Sequence, residues 1–235
     1  MIDFEKAFDW IDRDMLMYKL ISYNVDGMFY KAIKAMYSNT RALVKVNQMF
    51  SNWFDTKSGV RQGDTLSPTL FKKKLNGLIH DIENFHYGIE TDDFSLSVLC
   101  YADDIVIISE NEENLQLMLN YISSWCKKWR KTKVMHVRSK RCKAIQSAFK
   151  MDDIELEVVS NYKYLVFLFN EYMDMRDGIR LLSEAAGRSL SGIIAKFTVF
   201  RDAGFQTFTK LYNSCVVPIS DYFSGIWVFS KMFGD

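Results

Sequence analysis

The chain has 235 residues, 49% of them hydrophobic and 25% charged, with only two Pro and eleven Gly. That composition excludes a disordered tail, a collagen-like chain and a low-complexity linker, and the length suffices for a real core. Thirty Lys and Arg against twenty-nine Asp and Glu leave a formal charge of +1, an average that by itself argues against a strongly basic nucleic-acid binder.

Met1 to Phe4 reads as the end of a strand. Asp12 then suits the N-cap of a helix carrying Met15, Leu16, Leu20 and Ile21. A second helix is predicted from about Gly27 to Tyr37, and Ala42 to Asn47 alternates as a strand does. Residues 58–64 form a glycine-containing loop. A helix follows from near Ser67-Pro68, with Ser as N-cap and Pro in the first turn. Two apolar runs, Leu96–Tyr101 and Ile105–Ile108, flank Ala102-Asp103-Asp104 and predict a hairpin. Leu115, Met118, Leu119, Ile122, Trp125, Cys126 and Trp129 keep helical spacing on one face. Lys133–Val137 and Tyr162–Phe169 read as strands. From about Met175 the pattern is helical to the end, with a break near Asp202-Ala203-Gly204.

The charges are segregated. Leu75 to Cys126 holds ten acids and no Lys or Arg, whereas Lys127 to Lys150 holds ten Lys or Arg and no acid. Such blocks suit solvated faces, and they also suit a cation-binding centre beside an anion-binding wall. The four cysteines show no metal-ligand spacing; Cys100 and Cys126 sit in apolar stretches and are expected to be buried thiols. There is no signal-peptide pattern and no apolar run of membrane length, which points to an intracellular protein, nuclear or cytoplasmic, without a membrane partner.

Asp103 and Asp104 are adjacent carboxylates at a predicted hairpin tip. They suit either a polar turn or a divalent-cation site presented by rigid strands. Asp3, in Ile2-Asp3-Phe4, is the candidate partner carboxylate, since period-two geometry separates it from the apolar side chains beside it. Gly59-Val60-Arg61-Gln62-Gly63-Asp64 combines backbone freedom with donors for a phosphate or a base, a weak signal taken alone.

The order of five stretches is more specific. Asp3-Phe4-Glu5-Lys6-Ala7-Phe8-Asp9 comes first, then Gly59-Val60-Arg61-Gln62-Gly63-Asp64-Thr65-Leu66-Ser67-Pro68. Tyr101-Ala102-Asp103-Asp104, Lys131-Thr132-Lys133-Val134-Met135 and Tyr162-Lys163-Tyr164-Leu165 follow. The set resembles the reverse transcriptases of non-LTR (LINE-type) retrotransposons.

The resemblance implies an α+β chain: a polymerase palm with an antiparallel sheet packed on helices over residues 1–170, then a helical thumb-like region over 171–235. It implies Asp3, Asp103 and Asp104 as metal ligands and catalytic residues for two Mg²⁺ ions, with Mn²⁺ as a substitute. Lys131 becomes the proton donor to pyrophosphate. Phe4, Phe8, Arg61, Gln62 and Gly63 fall at the nucleotide, and Tyr162, Lys163, Tyr164 and Leu165 at the primer. The implied partners are an RNA template, a DNA primer and deoxynucleoside triphosphates. The implied reaction is RNA-directed DNA synthesis. The alternative is a non-enzymatic nucleic-acid-binding remnant that uses the basic block.

Some positions depart from the family pattern. The chain is read as starting without the fingers region and as carrying no endonuclease domain. Thr65 replaces a usual Pro, Val166 replaces a usual Gly, and Trp129-Arg130 runs directly into Lys131. Lys72-Lys73-Lys74 stands where apolar residues are usual, which predicts an inward-facing Lys or a distorted helix.

Overall fold

The computed structural model describes residues 1–4, 7–61, 63–125, 129–130, 132–199 and 204–226. Gln62, Lys131, Cys126 and most of the expected break at 202–204 therefore lie outside the described residues. Asp3, Trp129 and Arg130 are defined by their backbone. The elements run β1 (Ile2–Phe4), α1 (Arg13–Ser22), α2 (Gly27–Ser38), β2 (Arg41–Ala42), β3 (Lys45–Val46), β4 (Met49–Phe50), β5 (Phe54–Asp55) and α3 (Ser67–Asn84). Then come β6 (Ile89–Glu90), β7 (Ser95–Leu96), β8 (Val98–Tyr101), β9 (Asp104–Ile107), α4 (Glu112–Trp125), β10 (Trp129–Arg130) and β11 (Lys133–Val134). The chain continues with β12 (Phe149–Met151), β13 (Ile154–Val158), β14 (Asn161–Tyr164), β15 (Phe167–Asn170), α5 (Arg176–Val199), α6 (Phe205–Cys215) and α7 (Val217–Ser220). This is an α+β chain, as its sequence predicts. Among the described residues no helix is long and apolar enough to cross a membrane.

The chain divides into two compact units, one of residues 1–133 with 147–157 and one of residues 134–146 with 158–235. The first is built around an antiparallel sheet of order β10-β1-β9-β8. Ile2 stands opposite Ile105 in that sheet, and both are almost inaccessible (1% and 0%). Phe4 is buried too, its ring centroid 6.4 Å from that of Trp125. The core continues through Leu70, Phe71, Leu75, Leu78 and Ile82 of α3 and Met118, Leu119 and Ile122 of α4. These residues recur at helical spacing, so each helix turns one apolar stripe inward. Asp12 caps α1 as expected, its carboxylate accepting from the Met15 N–H at 3.0 Å.

Several expectations are corrected. Ser67 is the first residue of α3; Leu66 occupies the cap, and Asp64 accepts from its N–H at 3.1 Å. Lys72–Lys74 neither enter the core nor distort α3. Lys73 lies 4.1 Å from the Tyr23 ring centroid and Lys74 5.7 Å from that of Trp125. Long stems let these ammonium groups lie on aromatic faces while staying hydrated, which removes the burial cost. Trp129 belongs to β10 and not to α4, because pairing with Phe4 overrides its helical spacing. Cys100 is exposed, because its strand lies at the sheet's edge.

The apolar run 162–169 is a hairpin, β14–β15, and not one strand; Tyr164 pairs with Phe167 around a Leu165-Val166 turn. Residues 41–55 form a two-stranded ribbon where one strand is predicted. β12 and β13 pair in a stretch the sequence reading leaves without elements. In the second unit, α5, α6 and α7 pack on one another around Ala186, Ile193 and Val216.

Candidate functional site

The β8–β9 hairpin turns through two residues, Ala102 and Asp103, with Tyr101 opposite Asp104. Ala102 has φ +53°, a left-handed conformation that costs a non-glycine residue about 1 kcal/mol. The Cys100 thiol donates to the Ala102 carbonyl at 3.5 Å. Desolvation raises that thiol above its ordinary pKa; Lys72 opposes the shift, and Asp103 and Asp104 add to it.

The hairpin's partner is β1. Asp3 stands opposite Asp104 on one side and Arg130 on the other. The buried Ile2–Ile105 pair fixes this register, since a slip of one residue would turn an apolar side chain out of the core. The sequence-predicted Asp3, Asp103 and Asp104 therefore meet at one end of the sheet: two by adjacent strand position, one in the turn. Asp103 and Asp104 are half-buried. The three predicted donors are carboxylates, a hard oxygen set that fits Mg²⁺ or Mn²⁺. Among the described residues no cluster of three or more such ligands is assembled by side-chain position.

The glycine loop is joined to the segment after β1. The Val60 N–H donates to the Phe8 carbonyl and the Gly59 N–H to the Ile11 carbonyl, both at 2.8 Å. The Ser58 hydroxyl donates to the Asp9 carbonyl at 3.1 Å. Gly59 has φ +83°, and a Cβ there would lie 2.8 Å from the Asp9 Cα, so only glycine allows this approach. The structure thus joins the Phe8 backbone to Val60, the neighbour of Arg61 in the chain. The Phe8 ring stacks on Phe71 at 4.8 Å, and Arg61 donates to the Met36 carbonyl at 3.0 Å. Gly63 is exposed, with φ +82°. Phe4, expected at the nucleotide, packs into the core against Trp125.

Sequence reasoning missed Arg13. Its guanidinium donates to the carbonyls of Gly59 (2.8 Å), Thr56 (2.7 Å) and Ser58 (3.0 Å) and to the Thr40 hydroxyl (2.6 Å). It also lies 5.4 Å from the Tyr37 ring centroid. Burial lowers its pKa, Tyr37 opposes that shift, and Arg61 adds to it. The side chain ties α1, the ribbon base and the glycine loop together. One polar residue in the first turn of a helix carries no motif that would flag this role.

In the second unit, Tyr162, Tyr164 and Leu165 are half-buried and Lys163 is exposed. The Leu165 carbonyl accepts from the Tyr222 hydroxyl at 2.5 Å. Leu165 and Val166 have φ +44° and +76°. This is a turn type that favours glycine at its second position, where this chain has a β-branched residue.

Residues 1–167 match the family model described as reverse transcriptase (RNA-dependent DNA polymerase). The chain belongs to the reverse transcriptase family. Its relatives are proteins of mobile elements. It is 30% identical over 127 residues, 53% of the chain, to a retrovirus-related Pol polyprotein from the type-1 retrotransposable element R2 of Nasonia vitripennis. It is 29% identical over 126 residues, 49% of the chain, to the transposon TX1 149 kDa protein of Xenopus laevis. A match over 240 aligned residues, 96% of the chain at 23% identity, is to a probable RNA-directed DNA polymerase from transposon BS of Drosophila melanogaster. The matched stretches are 12%, 9% and 26% of those proteins, so this reverse transcriptase chain spans only a part of such relatives.

Proposed function

We propose that the chain is the catalytic part of an RNA-directed DNA polymerase that joins deoxynucleoside triphosphates to a DNA primer on an RNA template. The observation that carries the reading is the β1–β9 register, which sets Asp3 opposite Asp104 beside the turn residue Asp103. Residues 1–170 act as the palm and 171–235 as a thumb-like region.

In this reading Asp3, Asp103 and Asp104 hold two divalent ions, Mg²⁺ or Mn²⁺. When bound, such ions lower the cost of the attacking alkoxide and of the charge on the leaving pyrophosphate. Everything else falls to the protein's own groups, and their work is positioning and electrostatics. Arg61, Gln62 and Gly63 receive the nucleotide from a loop that Gly59 and Arg13 hold against residues 8–13. Phe8 borders the sugar, where an apolar ring leaves a 2′-hydroxyl unsatisfied. Phe4 supports this segment from the core side. Lys131 protonates the pyrophosphate as it departs. Tyr162, Lys163, Tyr164 and Leu165 hold the primer strand.

The test is primer extension on an RNA template with Mg²⁺, comparing the chain with Asp103→Ala. The substitution is expected to lower extension by roughly a thousandfold, and chelation of the metal to abolish it. Extension that survives Asp103→Ala overturns the reading.

A further inference from the structure

Residues 41–55 form a ribbon whose side chains the sheet and the helices leave largely uncovered. Arg41 pairs with Asp55, Ala42 with Phe54, Lys45 with Phe50 and Val46 with Met49. The Ser51 N–H donates to the Val44 carbonyl and the Val44 N–H to the Ser51 hydroxyl, both at 2.9 Å, which ties the two strand pairs together across a one-residue shift in register. Asn47 and Gln48 close the tip with positive φ. An isolated two-stranded ribbon is marginal in water, and this one is anchored at its base by Arg13, Thr40 and Thr56.

Its surface is unusual. Phe50 is 64% exposed and Trp53 59%, with Phe54 and Met49 exposed beside them. Large exposed aromatics gathered on one projecting element mark a binding surface. The surrounding charge says what binds. Between Gly27 and Gly63 the chain carries six Lys or Arg and a single acid, Asp55. Asp55 is paired with Arg41 at 3.4 Å. Among the described residues, Lys45, Lys57 and Arg61 have no carboxylate partner, and the Lys45 ammonium lies 5.3 Å from the Phe50 ring centroid. At the ribbon's base lies an open cleft of about 590 Å³ whose charged lining is four cations, Arg13, Arg41, Lys57 and Arg61, against two carboxylates, Asp9 and Asp55.

We propose that this ribbon and the cleft at its base bind single-stranded nucleic acid, with unpaired bases stacking on Phe50 and Trp53 and backbone phosphates meeting Lys45 and Lys57. Aromatic faces beside unneutralised cations are what an unpaired, polyanionic strand requires. A second copy of the chain is disfavoured as occupant, since pairing ribbon with ribbon would bring like charges together. The proposal rests on the polymerase reading only for the class of ligand, and it adds a hold on the strand through residues other than the carboxylates.

The test is binding of a labelled twelve-nucleotide single-stranded RNA, without triphosphates or metal, followed by fluorescence anisotropy. The double variant Phe50→Ala/Trp53→Ala is expected to raise Kd at least about tenfold, and Phe50→Tyr/Trp53→Tyr to retain affinity. Both side chains are exposed, so thermal melts should match those of the parent. A fully paired RNA of the same length is expected to bind less tightly and to ignore the double variant. An unchanged Kd for the single strand overturns the proposal, and so does an equal loss for the duplex. So does a dimer, seen by sedimentation, that the double variant abolishes while RNA affinity stays the same. The two readings fail separately. A chain that extends no primer yet binds RNA through Phe50 and Trp53 sinks the polymerase reading alone. A chain that extends a primer but binds RNA equally with or without those rings sinks the ribbon alone.

Discussion

The β8–β9 and β14–β15 hairpins both close through two-residue turns that hold non-glycine residues at positive φ. In the first, one small residue, Ala102, takes the left-handed conformation, and β9 is an interior strand flanked by β1 and β8. In the second, Leu165 and the β-branched Val166 are both left-handed, and the sheet has only two strands. What holds the second hairpin is side-chain packing. Phe167 stacks on Phe223 at 5.1 Å, the Tyr222 hydroxyl reaches the Leu165 carbonyl, and Gly178 of α5 lies against the Phe167 ring. Strain persists only where the surroundings over-determine the conformation. One hairpin meets that condition through backbone pairing, the other through contacts from the following helix α5 and from the distant turn at Tyr222 and Phe223.

That contrast is breakable. Ile105→Ala should cost about 2–5 kcal/mol, since it empties the most buried point of the β1–β9 pair. Amide exchange should quicken along β1 and β9, and denaturant unfolding reads the total. Exchange that stays slow there would mean that backbone pairing is not what holds the first hairpin. Gly178→Ala should cost the second hairpin roughly 1–3 kcal/mol. Its new Cβ would sit 2.4 Å from the Phe167 ring and 2.7 Å from the Leu168 carbonyl. The loss should appear as faster exchange in β14 and β15, and normal protection there would remove the claimed support. Val166→Gly should stabilise the chain by about 1 kcal/mol, because glycine adopts a φ of +76° without steric cost. A fall in melting temperature would contradict the strain assigned to this turn. The smallest effect is expected from Ala102→Gly, a change of less than about 1 kcal/mol, because relief of strain is offset by added freedom in the unfolded chain. A gain equal to that of Val166→Gly would erase the distinction between the turns.

Local rules made much of this legible. The Asp12 cap, the apolar stripes of α3 and α4, and the hairpin around Ala102-Asp103 each follow from residues close together in sequence. Errors came where distant partners decide. Trp129 keeps the helical spacing of α4 yet pairs with Phe4. Lys72–Lys74 look misplaced until Tyr23 and Trp125 supply aromatic faces. Alternation over Ala42–Asn47 shows one strand of the 41–55 ribbon, but its returning half, residues 49–55, is paired by backbone and largely exposed, so it leaves no half-buried pattern.

By itself the sequence named the family and its candidates: three carboxylates, a glycine loop and a basic segment, in an order specific enough to point to reverse transcriptases. Those are properties of residue type and spacing. Only the tertiary structure decided that Asp3 faces Asp104 rather than another position, because register is set by burying Ile2 against Ile105 across a hundred residues of chain. It also decided that Arg13 is the tie between α1, ribbon and glycine loop, since its partners are backbone carbonyls that any residue could have offered. Backbone acceptors carry no sequence signature, so a guanidinium that gathers them becomes visible only when the chain has folded around it.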